Sequence, residues 1–214
     1  MACPICEKRK GQRFCPAKGE TICAECCGTE REVSIDCPSD CRHLMAARKW
    51  EQEHRKPLAP EDFPFPDVRI PPAIVRERGA VVPGLGLTIL QFQKESPAMT
   101  DSDALEALTA LAETYRTLGT GIYYEKPPAG PVAAALYARL VEFLEQYKKE
   151  EIERTSGSPL RETEIFQLLV FLLRMGRTET NGRRKSRAFL DFLWTALPPD
   201  PHADRKEEPR IILP

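Results

Sequence analysis

"ICAECCGTEREVSIDCPSDCRH", residues 22–43, holds five of the eight cysteines of this chain of 214 residues. The other three cysteines precede this stretch, and none follows Cys41. No other change in composition along the chain is as sharp. We therefore predict that residues 1–43 form a cysteine-rich module, distinct in kind from the rest of the protein.

Two pairs of cysteines have the spacing of zinc ligands. Cys3 and Cys6 form one C-x2-C unit, and Cys23 and Cys26 form another. This short spacing lets two thiolates reach one tetrahedral ion at about 2.3 Å. Eight thiols fill two four-cysteine sites, so we predict two zinc ions. The predicted metal ligands are Cys3, Cys6, Cys15, Cys23, Cys26, Cys27, Cys37 and Cys41.

Two groupings of these ligands satisfy the count. The sequential grouping joins residues 3, 6, 15 and 23, and then 26, 27, 37 and 41; the interleaved grouping joins residues 3, 6, 23 and 26, and then 15, 27, 37 and 41. We prefer the interleaved grouping because it pairs the two C-x2-C units. It also sends the adjacent Cys26 and Cys27 to different ions. His43 is an alternative ligand in place of Cys37 or Cys41.

Zinc explains the cysteines better than disulfides do. The N-terminus has no apolar secretory segment, and the longest apolar run, "IFQLLVFLLRM", is about half the length that a bilayer crossing requires. We therefore expect a cytoplasmic protein with no membrane partner, in which thiols stay reduced. The cysteine-rich module has few apolar residues, so metal binding would supply the missing folding free energy, on the order of 10 kcal/mol for each site.

Catalysis is not indicated. A catalytic zinc keeps an open coordination position, and eight cysteines in two sites leave none. A thioredoxin-like dithiol requires a βαβ setting, which the sequence does not predict. The sequence also has no phosphate-binding loop, no dinucleotide fingerprint and no HExxH motif. We expect a protein that is not an enzyme, with no catalytic and no cofactor-binding residues beyond the metal ligands.

Residues 3–43 resemble the cross-brace double-zinc fingers of the B-box, HIT and MYND types, in which two ions are bound within about 40 residues before a helix. The run "RFCPAKGETICAECCGT" followed by "CPSDCRH" also resembles the start of a group of uncharacterised bacterial proteins with a helical C-terminal domain. The finger families mostly bind proteins, and the resemblance implies the same here. Cys15 departs from those families because it has no close cysteine partner.

The rest of the chain has the pattern of a helical bundle. Residues 44–72 are predicted to form a short charged helix and a proline-rich linker, and residues 199–214 a flexible tail. Between them, residues 73–198 predict four or five amphipathic helices. Ile165–Leu173 is apolar on almost every face, which predicts the central buried helix. The fold class is therefore mainly α: a small two-zinc module followed by an all-α bundle.

Two details of the bundle follow from local signals. Thr100 is predicted to cap the N-terminus of a helix, because Asp101 and Asp103 follow it and suit the positive end of the helix dipole. Pro83, Gly84 and Gly86 interrupt the apolar spacing of residues 71–96, which are expected to form one broken helix or two short ones.

The net charge of −1 does not indicate that the chain as a whole binds nucleic acid. We expect an adaptor that binds a protein partner through the zinc module, with Tyr123 and Tyr124 in the loop 119–131 as a second candidate surface. The alternative is a nucleic-acid-binding regulatory protein that uses the basic region 174–187. The residues of that region that would contact phosphate are Arg183, Arg184, Lys185 and Arg187.

Overall fold

A computed structural model describes residues 1–122, 124–154 and 159–197. The described part is mainly helical, with a cysteine-rich region ahead of a helical domain, which confirms the predicted fold class. The elements are β1 (Arg13–Cys15), β2 (Glu20–Ile22), α1 (Ala24–Thr29), α2 (Arg42–His54), α3 (Pro72–Glu77), α4 (Val81–Glu95), α5 (Asp101–Leu118), α6 (Pro131–Arg154), α7 (Glu162–Glu179) and α8 (Ala188–Ala196). The predicted tail, residues 199–214, lies outside the described residues.

We call residues 1–41 the cysteine lobe. It consists of a short β-hairpin followed by a helix of about one and a half turns. Strands β1 and β2 pair antiparallel, with Phe14 opposite Thr21. Gly19 has a φ of +67° in the connecting turn, a conformation that glycine adopts at little cost. Helix α1 follows β2 directly, and Cys23 is its N-cap. These short strands were not predicted.

The bundle is organised around α5 and α7. Gly119, after α5, lies beside Thr163 at the start of α7, and Gly176 near the end of α7 lies beside Leu105, so the two helices are antiparallel. The predicted central helix is confirmed, since Ile165, Leu168, Leu169, Val170, Leu172 and Leu173 are all buried. The bundle core also contains the inward faces of α4, α5, α6 and α8.

Helix α6 runs parallel to α5, which has a consequence for the chain between them. The hydroxyls of Thr114 on α5 and Tyr137 on α6 are 3.1 Å apart, and Gly130, just before α6, lies beside Glu106. Because the two helices are parallel, the chain must run back from the end of α5 to the level of its start before α6 begins. Residues 119–130 form this connection, which we call the crossover segment; Tyr123 within it lies outside the described residues.

The predicted cap at Thr100 is confirmed. The Thr100 hydroxyl accepts from the backbone N–H of Asp103, and the Asp103 carboxylate accepts from the backbone N–H of Thr100 at 2.9 Å. This reciprocal arrangement is a capping box, with Asp103 in the place of the usual glutamate.

Residues 71–96 contain two helices, as one of the two expectations had it, but the interruption expected at Pro83, Gly84 and Gly86 is wrong, because all three lie inside α4. The break in the helix comes earlier, at residues 78–80, between α3 and α4. Pro83 is tolerated because it lies in the first turn, where no intrahelical N–H is lost. A Cβ at Gly84 would come within 2.2 Å of Phe143, and one at Gly86 within 2.4 Å of Leu197. The glycines therefore permit close approach of neighbouring elements.

The proline-rich stretch wraps over α7. The Arg174 guanidinium donates to the backbone carbonyls of Pro64, Phe65 and Val68. The Phe65 ring packs edge-on against Phe166 with centroids 5.4 Å apart. One long cation thus supplies hydrogen-bond donors to carbonyls of a mostly irregular segment. None of the described helices combines the length and apolarity that a membrane crossing requires.

Candidate metal centre and its docking on the bundle

Four thiols meet in the cysteine lobe. The Sγ atoms of Cys3, Cys6, Cys23 and Cys26 all lie within 4.8 Å of one another, and those of Cys6 and Cys23 are 4.0 Å apart. Around a tetrahedral zinc ion with Zn–S bonds of about 2.3 Å, sulfur atoms lie about 3.8 Å apart. The cluster therefore needs only a small contraction to hold zinc, and Cys3, Cys23 and Cys26 are buried.

Backbone N–H groups near these four cysteines favour the thiolate form that binds a cation. The N–H of Cys26 donates to the Cys23 sulfur at 3.3 Å, as an N-cap side chain accepts from a helix. Burial raises the pKa of Cys3, but backbone N–H groups of Cys23, Cys6 and Ile5 outweigh it and lower the pKa to about 6. The N–H groups of Lys8 and Arg9 likewise lower the pKa of Cys6. Thiolates held by backbone N–H groups are the ligand form that zinc requires.

The same four thiols cannot all ionise without a cation. The neighbouring Cys23 sulfur is the main cause that raises the pKa of Cys26 to about 12, with burial second. A divalent ion at the centre of the cluster would take the place of the proton that Cys26 shares with Cys23. The chemistry of the donor set thus fits zinc: soft sulfur ligands, four in number and close enough together to share one ion.

The other four cysteines lie together around a second space in the lobe. Cys15, Cys27, Cys37 and Cys41 all line one small cavity of about 10 Å³, to which Phe14 and Pro38 also contribute. Adjacent residues of a helix point about 100° apart, so α1 directs Cys26 to the first cluster and Cys27 to this cavity. Among the described residues, only the first set has all its ligand atoms within 4.8 Å of one another. A second metal site therefore stays a prediction.

His43 also lines this second cavity, so the alternative ligand stays open. Its Nε2 lies 3.4 Å from the Nε of Arg42. Burial and the nearby cations Arg13, Arg42 and Arg31 lower the pKa of His43. Burial raises the pKa of Cys37, and a hydrogen bond from the backbone of Glu32 opposes this effect in part.

The basic region between α7 and α8 contacts the lobe. The Arg183 guanidinium donates to the carbonyls of Gly28 at 3.2 Å and Arg31 at 2.8 Å, both near the end of α1. The Lys185 ammonium donates to the carbonyl of Ser34 at 2.9 Å. Sequence reasoning did not find this internal role. The available signal was charge: a zinc ion with four thiolates carries about −2, and a basic segment complements it.

Arg187 completes the contact. It forms an ion pair with Asp36 of the lobe and donates to the carbonyl of Met99, at 3.1 Å, on the bundle side. The hydrogen bonds from Arg187 lower the pKa of Asp36, with burial as a smaller opposing effect. Three of the four cations predicted to contact phosphate, Arg183, Lys185 and Arg187, thus hold the lobe to the bundle. Arg184 is exposed and makes no such contact.

A buried carboxylate also joins the lobe to the bundle. Glu32 is 1% exposed, accepts from Arg48 of α2 at 2.6 Å and accepts from the Asn181 amide at 2.7 Å. The backbone carbonyl of Glu32 accepts from the N–H of Lys185 at 2.7 Å. Arg48 also pairs with Asp191 of α8. Glu32 has a φ of +53°, which is costly for a residue with a side chain and is stabilised by these partners.

Comparison with known proteins gives no relative. No family model, no curated protein and no solved structure matches this chain. The resemblance of the cysteine pattern to the double-zinc fingers therefore has no family match behind it. What the geometry supports is a cysteine-rich N-terminus in which four cysteines can hold a metal ion.

Proposed function

We propose that this is a non-enzymatic binding protein in which two structural zinc ions fold the cysteine lobe and fix it on the helical bundle. The observation that carries the proposal is the cluster of Cys3, Cys6, Cys23 and Cys26, whose sulfurs lie within 4.8 Å of one another. Four protein thiolates fill a tetrahedral coordination shell and leave no position for a substrate, as in structural zinc sites.

The second ion is supported by the shared cavity. Each of Cys15, Cys27, Cys37 and Cys41 contributes to its lining, and its small volume suits one ion rather than an organic ligand. We assign the second zinc to these four cysteines, with His43 as the substitute ligand.

A protein partner is supported by the surface of the lobe and α2. Phe14 and Val33 on the lobe are 57% and 42% exposed, and Trp50 on α2 is 60% exposed. Exposed aromatic side chains of this kind are common in protein interfaces. Nucleic-acid binding through residues 174–187 is the second candidate. It has less support, because most cations of that region donate within the chain.

The metal test uses the adjacent cysteines as a matched pair. Native mass spectrometry of the wild type should show two zinc ions per chain, and Cys26→Ser and Cys27→Ser should each show about one. The double variant should show none, because each cysteine belongs to a different site. The sequential grouping instead predicts that the double variant keeps one ion, since residues 3, 6, 15 and 23 would be intact. A wild type without zinc would overturn the proposal.

The partner test is capture of the tagged full-length chain from its native host. Recovery of a protein that survives nuclease treatment supports the adaptor role, provided that the Cys3→Ser variant loses it. Recovery of nucleic acid, lost at high salt and lost with Arg184→Ala, would favour the second candidate.

A further inference from the structure

A groove runs along the solvent side of α5. Its volume is about 940 Å³, within the range of ligand-binding clefts. Its base is a stripe on α5 at spacings of three and four, from Ser102 through Glu106, Thr109 and Glu113 to Arg116. This stripe is about 21 Å long at 1.5 Å per residue. An extended peptide of about six residues has the same length.

The rest of the groove comes from two chain segments of different chemistry. The crossover segment contributes mostly apolar groups, among them Tyr124, Pro127 and Pro128. Tyr124 is 60% exposed, so its ring is accessible to a ligand. The end of α7 and the residues after it contribute Arg177 and Arg184. A ligand that fits both segments must carry apolar and anionic groups.

The groove is cationic although the chain is not. Its lining includes five Lys/Arg residues against the two carboxylates Glu106 and Glu113, which leaves an excess of three positive charges in a chain of net charge −1. Glu113 is already paired with Arg116. Arg177, Arg184 and Lys126 have no ion-pair partner among the described residues. These three cations are therefore available to an anionic ligand.

We propose that the α5 groove binds an extended peptide in which acidic and apolar residues alternate. An extended chain directs successive side chains to opposite edges, so one edge can carry the acidic residues and the other the apolar ones. Arg177 and Arg184 bind the carboxylates along one edge, and Tyr124 with Pro127 and Pro128 packs against the apolar residues along the other. Pro127 and Pro128 lack N–H groups, so recognition depends on side chains rather than on strand addition.

The groove shares a residue with the contact between lobe and bundle. Arg183 lines the groove and donates to the carbonyls of Gly28 and Arg31 in the cysteine lobe. A folded lobe therefore fixes one side of the groove. The proposal deepens the proposed function, on which it rests for the kind of partner, and predicts that zinc removal weakens peptide binding.

A peptide fits the groove better than nucleic acid does. Single strands bind by stacking bases on several aromatic side chains, and Tyr124 is the one aromatic residue in the described lining. The carboxylates Glu106 and Glu113 along the base would repel a continuous phosphate backbone. A peptide with separated acidic residues avoids both difficulties.

The test uses fluorescence anisotropy with the full-length, zinc-loaded protein at low salt. The probes are a labelled peptide of about eight residues with alternating glutamate and valine, the same peptide with lysine for glutamate, and an oligothymidine of about ten nucleotides. The glutamate peptide should bind and the other two should bind at least about tenfold more weakly. The double variant Arg177→Glu/Arg184→Glu should lose about tenfold or more in affinity.

The matched control is Arg76→Glu/Lys149→Glu, at exposed sites on α3 and α6. It changes the net charge by the same amount as the groove variant, and it should bind the peptide as the wild type does. No binding of the glutamate peptide, equal loss in both double variants, or tighter binding of the oligonucleotide would each overturn the proposal. Zinc content is measured in the same samples. A zinc-loaded protein that captures a partner but not the peptide would overturn the groove alone and leave the proposed function standing.

Discussion

The cysteine lobe and the helical bundle fold by different means. The buried core of the lobe consists of six residues, four of which are cysteines, whereas the core of the bundle has 24 buried residues without a cysteine. Buried apolar area stabilises the bundle directly, at roughly 25 cal/mol per Å². The lobe has too little of that area, so we propose that its stability depends on a metal held by its thiols. The two regions should therefore respond to different perturbations.

Metal removal is the strongest way to test this difference. Incubation with a membrane-permeant zinc chelator should unfold residues 1–41, because each structural zinc contributes on the order of 10 kcal/mol to folding. Hydrogen exchange followed by mass spectrometry should show loss of protection at Ile22 and Cys26 and little change at Leu111 and Leu169. Re-addition of zinc should restore it. Equal loss of protection in both regions would show that the bundle also depends on the metal.

The comparison also explains what could be predicted from sequence. C-x2-C spacing identifies Cys3, Cys6, Cys23 and Cys26 because metal geometry restricts the local chain to a few residues. A nearly continuous apolar run identifies the middle of α7, because most residues from Ile165 to Leu173 are buried. The role of Arg183 and Lys185 was missed because their partners are backbone carbonyls of distant residues, which have no sequence signature.

Two local sequence signals were misleading because contacts between distant residues outweigh them. Gly84 and Gly86 lower helix propensity, but they allow Phe143 and Leu197 to approach α4, and this packing decides the outcome. Cys15 has no close cysteine partner in sequence, yet folding brings it to the cavity that Cys37 and Cys41 also line. Contacts made by folding, rather than chain spacing, decide both cases.

Replacing Asp101 should break the bundle and spare the lobe. The carboxylate is 1% exposed and accepts from Thr180 at 2.8 Å, Ser186 at 2.7 Å and the backbone N–H groups of Phe189 and Leu190 at the start of α8. Asp101→Ala leaves these donors buried without an acceptor, and we expect a loss of about 3–5 kcal/mol in the free energy of unfolding.

Urea denaturation followed by far-UV circular dichroism measures this loss. The matched control is Asp67→Ala, at an exposed position, which should change stability by less than about 0.5 kcal/mol. The zinc content of Asp101→Ala should equal that of the wild type under native conditions. Loss of zinc in this variant would contradict the separation of the two regions.

The smallest expected effect is on the contact between the regions. Glu32→Gln removes the negative charge that faces Arg48 but keeps the size of the side chain. Breaking a fully buried pair costs about 3–5 kcal/mol. Arg48 retains Asp191 and its side chain is 16% exposed, so we expect the free energy of unfolding to fall by about 1–2 kcal/mol.

Hydrogen exchange measures the effect on the contact itself. The amide of Lys185, whose N–H donates to the backbone carbonyl of Glu32, should exchange faster, while zinc content and protection of Leu111 stay unchanged. Glu20→Gln, at an exposed site of the lobe, is the matched control and should leave Lys185 protected. If Glu32→Gln instead released zinc, the contact with the bundle would be part of what folds the lobe, and the two regions would be one cooperative unit.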